Sequence, residues 1–230
     1  GGAPPDDEEG KGMTDYTAAR HNMVENQVRT NKVTDERLID AMETIPRELF
    51  VPANLRSVAY VDEDIRVARG RYLMEPMVLA RLLQVAEVRS TDIALDVGPA
   101  TGYSTALLAA LCDTVVGLEA NAALVEQASE TLTDLGLDNA VVIEGDLQAG
   151  NPGQGPYNVI LFNGAIAEVP QTIAEQLADG GRLVAVTRPG AGLGQATIVT
   201  RFGDIYSPRP IFDAATPYLP GYEPKPAFVF

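Results

Sequence analysis

The 230-residue sequence has one cysteine, one histidine, no tryptophan, and only 17 basic residues against 32 acidic ones. With Cys112 alone, no disulfide can form within the chain, and a reducing compartment, the cytoplasm, is the expected setting. With His21 alone, in a polar N-terminal stretch, a zinc site of the Cys/His type cannot be assembled, and no metal is expected. A Ser-His-Asp hydrolase would have to recruit that same His21 as its base. No apolar run is long enough to span a bilayer, and no basic-then-apolar start suggests a signal peptide. A net charge of −15 repels nucleic-acid backbone and anionic lipid, so neither nucleic acid nor membrane is an expected partner.

What is present is a chain 46% apolar, enough for a substantial core. Residues 1–12 (GGAPPDDEEGKG) are small and acidic with nothing large to bury. They are expected to be disordered or an added leader before a natural start at Met13. Residues 13–75 read as a helical extension ending in a loop. Met23, Val24, Gln27 and Val28 share one helical face. A second helix, with Thr34 as its expected cap, carries the stripe Leu38, Ile39, Met42 and Ile45 and stops at Pro46. A short third helix runs through Leu55 and Val58.

From residue 76 to 204 the pattern alternates. Helices are predicted at 77–88, 101–111 and 122–135, and one between Val169 and Leu177 stopped by Gly180-Gly181. Short apolar strands are predicted at 93–97, 115–119, 140–144, 158–162 and 183–187. The fold class implied is α/β, a mainly parallel sheet with helices on both faces. Residues 205–230 form a Pro-rich tail. Antiparallel edge strands are expected at 196–201 and 227–230. Tyr218 and Tyr222 are expected to fold back over the core.

The most informative stretch is Asp96-Val-Gly-Pro-Ala-Thr-Gly-Tyr103, where the first core strand turns into a helix. Glycines at 98 and 102 allow backbone to approach a ligand, and open α/β sheets bind ligands at these strand ends. Glu119 ends the next strand, about twenty residues after Gly98, where an acid can accept hydrogen bonds from ribose hydroxyls. A dinucleotide site needs G-x-G-x-x-G, which is absent, and Asp96 beside the loop disfavours a diphosphate. A nicotinamide-dependent oxidoreductase is therefore the weaker alternative. S-adenosylmethionine carries an ammonium and a sulfonium and no phosphate, and suits the loop better. Asp146, after the third strand, supplies a further acid for adenine contacts.

At this point the sequence resembles the protein-L-isoaspartate O-methyltransferases, a branch of the Rossmann-like class I S-adenosylmethionine enzymes. The matching stretches are Met23-Val-Glu-Asn-Gln-Val-Arg29, Ile45-Pro-Arg-Glu-Leu-Phe-Val-Pro52, Ala59-Tyr-Val-Asp62, Gly98 to Tyr103, Glu119, Gly145-Asp146, Tyr157-Asn-Val-Ile160 and Gly180-Gly-Arg-Leu183. The resemblance implies S-adenosyl-L-methionine as cofactor, held by Asp96, Gly98, Ala100, Gly102, Tyr103, Glu119, Ala120, Asp146 and Leu147. It implies methyl transfer to a carboxylate of an altered aspartyl residue in a peptide or protein. Such a carboxylate is ionised at neutral pH, so alignment and water exclusion carry the catalysis.

The sequence departs from the family at the substrate loop. The family's Gly-x-Thr-Ile-Ser-x-Pro reads here Gly70-Arg-Tyr-Leu-Met-Glu-Pro76. Tyr72 and Met74 replace the hydroxyl residues that help hold the substrate carboxylate, and a thioether cannot donate a hydrogen bond. Arg71 is a candidate substitute anchor for the acceptor carboxylate, while its neighbours Arg66 and Arg69 read as solvated loop. Asn163-Gly164 reads as an active-site wall, and Cys112 as buried packing. The expected activity is O-methyl transfer with weakened or changed acceptor specificity. The alternative is a catalytically silent S-adenosylmethionine-binding module.

Overall fold

The computed structural model describes residues 8–226, with side chains from Tyr16 onward. Residues 1–7 and the edge strand expected at 227–230 lie outside the described residues. Helix α1 (Glu8–Met23) takes in residues 8–12, for which no structure was expected. It continues through one π turn and one 3-10 turn to Asn31. Helix α2 (Glu36–Thr44) is capped by Asp35, whose carboxylate accepts from the amides of Arg37 and Leu38. The expected cap Thr34 instead donates its amide to the Gln84 side chain at 2.6 Å. The predicted third helix is a 3-10 segment, Ala53–Val58. A small hairpin, β1 (Ile65–Ala68) and β2 (Arg71–Leu73), then leads to α3 (Pro76–Val85), with Pro76 at the first helical position, where its missing N–H is no loss.

The core sheet has the order β5-β4-β3-β6-β7-β8-β9. Strands β3 (Ile93–Val97), β4 (Thr114–Glu119), β5 (Ala140–Glu144), β6 (Tyr157–Ile166) and β7 (Leu177–Thr187) run parallel. Strands β8 (Gly194–Phe202) and β9 (Ile205–Ala214) extend the sheet antiparallel. Pro208 and Pro210 sit on β9, the edge strand, where a missing N–H costs no ladder bond. Helices α4 (Tyr103–Leu111) and α5 (Ala122–Asp134) follow β3 and β4. Helix α6 is a single turn, Gln171–Ala174. Gly180-Gly181, expected to stop that helix, lies inside β7 instead. Gly180 adopts φ +76° where the β6–β7 register shifts between the Tyr157 and Val159 pairs.

Two apolar layers flank the sheet. The larger joins Met23, Leu38, Phe50, Leu79 and Leu107 to sheet residues such as Val115, Val159 and Val184. Thus the N-terminal helices share one core with the sheet. The other layer packs Leu95, Val97, Ile160 and Phe162 under Ile173, Leu219 and Tyr222. On this face the cover is α6 and the folded-back C-terminal segment rather than a full layer of helices. Among the described residues, no helix is long and apolar enough to cross a membrane.

Candidate active site

The loop after β3 is shaped by three left-handed residues, Gly98 (φ +70°), Ala100 (φ +54°) and Gly102 (φ +99°). A side chain on Gly102 would put its Cβ 3.1 Å from that of Ala128, so the glycine lets α5 pack against the loop. Asp96, just before the loop, is fully buried. Its carboxylate accepts from the Ser104 hydroxyl (2.7 Å), the Thr105 hydroxyl (2.8 Å) and the Asn163 amide (2.5 Å). It thereby ties the first turn of α4 to β6. Burial pushes its carboxyl up to about 6, against the opposing pull of these three donors.

Glu119, at the end of β4, is also fully buried. Its carboxylate faces Arg71 of β2 in a two-pronged ion pair with N–O distances of 2.5 and 2.6 Å. The amides of Ala100 and Asn121 donate to the same carboxylate, each at 2.9 Å. Arg71, a sequence candidate for an acceptor anchor, is thus committed to an acid of its own chain. Arg66 and Arg69 are exposed, as read from the sequence.

The C-terminal segment closes over the same place. Leu219 is buried against Gly98 and Gly164, at the ends of β3 and β6. Tyr222 stacks edge-on against Phe162 at 5.4 Å, and its hydroxyl donates to the Leu147 carbonyl at 2.6 Å. Tyr218 donates to the Arg188 carbonyl at 2.7 Å. Both tyrosines therefore fold back as expected. Leu219 has no signal in the sequence beyond being apolar in a proline-rich stretch.

The other candidates divide into two groups. Ala120, Asp146 and Leu147 line an open depression of about 390 Å³ beside Arg71 and Pro220. Tyr72 and Met74 border a cleft of only about 10 Å³ together with Asn163, Gly164 and Leu219. Met74 is buried, while Tyr72 is partly exposed. Tyr103 stands apart from both groups. It is buried under the N-terminal platform, 5.6 Å from the Phe50 ring and 4.8 Å from the Arg47 guanidinium. Arg47 itself is fully buried and donates to the carbonyls of Ala59 (2.7 Å) and Met74 (3.1 Å). It was legible in sequence only as part of the Arg-Glu-Leu-Phe-Val segment, with no role assigned. Thr101 adds a tie from the glycine loop to the Phe50 carbonyl at 2.6 Å.

The profile of the protein-L-isoaspartate(D-aspartate) O-methyltransferase (PCMT) family matches residues 18–201. A protein-L-isoaspartate O-methyltransferase of Methanoculleus marisnigri is 38% identical over 186 residues, covering 81% of this chain and 84% of its own length. The chain belongs to the protein-L-isoaspartate(D-aspartate) O-methyltransferase family. A further relative of that name, from Koribacter versatilis, is 39% identical over 172 residues, 75% of this chain and 78% of its own. A solved protein-L-isoaspartate O-methyltransferase shares the fold with a TM-score of 0.78 at 22% identity, covering 88% of this chain and 66% of that one.

As a member of this family the chain is an O-methyltransferase, with S-adenosyl-L-methionine as its cofactor. The residue types at the strand ends fit that cofactor: bare backbone at Gly98 and Gly102, and acids at Glu119 and Asp146. The space between them does not. Arg71 takes both oxygens of Glu119, and Leu219 fills the hollow over Gly98.

Proposed function

We propose that the chain methylates a carboxylate of altered aspartyl residues in proteins, isoaspartyl above all, in the cytoplasm, with an acceptor site weaker than its family's usual one. The observation carrying this reading is the extent of the family match. It spans the N-terminal platform as well as the cofactor loop, and Arg47 of that platform holds the Met74 carbonyl at the substrate loop. Glu119 would take the ribose hydroxyls and Asp146 the adenine edge, with Ala120 and Leu147 as neighbouring walls. The cofactor, when bound, supplies an electrophilic methyl group.

An isoaspartyl carboxylate needs no base at neutral pH, so the protein's task is to orient it and exclude water. Here the loop is poorly equipped. Buried Met74 presents a thioether where a hydroxyl would donate, and losing a hydrogen bond to a charged group costs about 1.5–3 kcal/mol. Glu75 stands next to it, its carboxyl pushed up to about 7 by burial and by the neighbouring Asp62. Transfer from labelled S-adenosyl-L-methionine to an isoaspartyl peptide tests the proposal. We expect slow turnover that rises at least about tenfold when Tyr72→Thr and Met74→Ser are combined. No gain from the pair would show that the loop is not what limits the reaction.

A further inference from the structure

The cofactor crevice is closed from within by parts of the chain that reach it from opposite sides. A Cβ on Gly98 would lie 2.6 Å from Leu219 Cδ1, and one on Gly164 would lie 2.8 Å from the Leu219 amide nitrogen. The two strand-end glycines thus form a hollow that Leu219 fills. The segment is held there by main-chain bonds along the end of β6. The Ala165 amide donates to Pro217, the Leu219 amide to Ala165, and the Ala167 amide to Tyr222, at 2.8, 2.9 and 2.8 Å. From the other side β2 delivers Arg71, whose Nη2 lies 3.2 Å from that same Gly98 position while it binds Glu119. The family profile matches residues 18–201, and Leu219 lies past the end of that match.

We propose that Leu219 and Arg71 are an internal plug, so that S-adenosyl-L-methionine enters the crevice only when residues 216–222 lift off β6 and Arg71 releases Glu119. This rests on the assignment of the cofactor. Physically, the plug satisfies what the cofactor would satisfy: the guanidinium answers the carboxylate in place of ribose hydroxyls, and an apolar side chain covers bare backbone. Charge-assisted two-pronged pairs are among the stronger hydrogen bonds, and breaking a buried pair exposes an uncompensated charge. The closed state is therefore well populated. The apparent affinity for the cofactor falls by the fraction of molecules that are open, about 100-fold if one in a hundred is open.

The test is calorimetric binding of S-adenosyl-L-homocysteine to the full chain and to its Leu219→Ala and Arg71→Met variants, with hydrogen exchange of the unaltered protein. The plug predicts weak binding by the unaltered chain and at least about tenfold tighter binding by Leu219→Ala. It also predicts that ligand speeds exchange at the Ala165, Ala167 and Leu219 amides, the three that donate across the contact between the segment and β6. Equal affinities with those amides still protected in the complex would overturn the plug and leave the cofactor assignment standing. No binding by any of the three proteins at millimolar ligand would overturn both. Should a variant fail to fold, the exchange measurement on the unaltered chain decides alone, because a plug that leaves must lose its amide protection.

Discussion

Glu119 meets four donors, two from Arg71 and the amides of Ala100 and Asn121, which leaves its buried carboxylate fully paired within the chain. Asp96 is similarly saturated, but by neutral donors, and burial is the larger influence on it. Its folded-state value of about 6 lies above the ordinary carboxylate value, so the folded protein holds a proton that the unfolded chain has already lost between about pH 4 and 6. Stability contributed by this group is therefore greatest at the acid end and declines as pH rises through that window. The Asp96→Asn variant lacks this titration. In urea unfolding series, native stability relative to Asp96→Asn should fall by up to about 3 kcal/mol from pH 4 to pH 7. A difference that stays flat with pH would mean that the three donors cancel the effect of burial.

Among the elements, the junction of β3 with α4 is the most constrained. Gly102 has φ +99° and also admits Ala128 of α5, so two independent demands fall on one position. Gly102→Ala should destabilise by about 1–3 kcal/mol, measured as a lower denaturant midpoint at unchanged slope. A cost below about 0.5 kcal/mol would show that α5 can shift away. Elements of this kind were legible in sequence. The predicted 93–97 and 140–144 coincide with β3 and β5, because a short apolar run between turn residues has few other ways to be buried. The region around α6 was not. Gly180-Gly181 signals a helix end and a strand bulge equally well, and the strand pairing with β6 decides between them.

Across the whole molecule, the N-terminal platform and the sheet are one body. Their buried residues, from Met23 through Leu38 and Phe50 to Ala214, form a single apolar cluster; Thr101 bridges the two parts by a hydrogen bond to the Phe50 carbonyl, and the Arg47 guanidinium lies 4.8 Å from the Tyr103 ring of α4. Thermal unfolding followed by calorimetry should show one cooperative transition with matching calorimetric and van't Hoff enthalpies. Two resolved transitions would mean that the platform melts separately. The same unity links the β1–β2 hairpin to the end of β4. Arg71 reaches Glu119 from β2, in the same short segment that carries Tyr72 and Met74 before α3.

The alternation of apolar strands and amphipathic helices was enough to establish an α/β sheet and to put Asp96, Glu119 and Asp146 at neighbouring strand ends. The quoted motifs carried the family. These are local signals, written in spacing and side-chain type within a few residues. What the acids face is another matter. Glu119 reads as a free ribose-binding acid until the hairpin brings Arg71 across 48 positions, and Leu219 reads as tail until β9 turns it back onto Gly98. Contacts between residues so far apart leave no periodicity in the chain; they arise from which strands lie side by side and where the connections between them are forced to run.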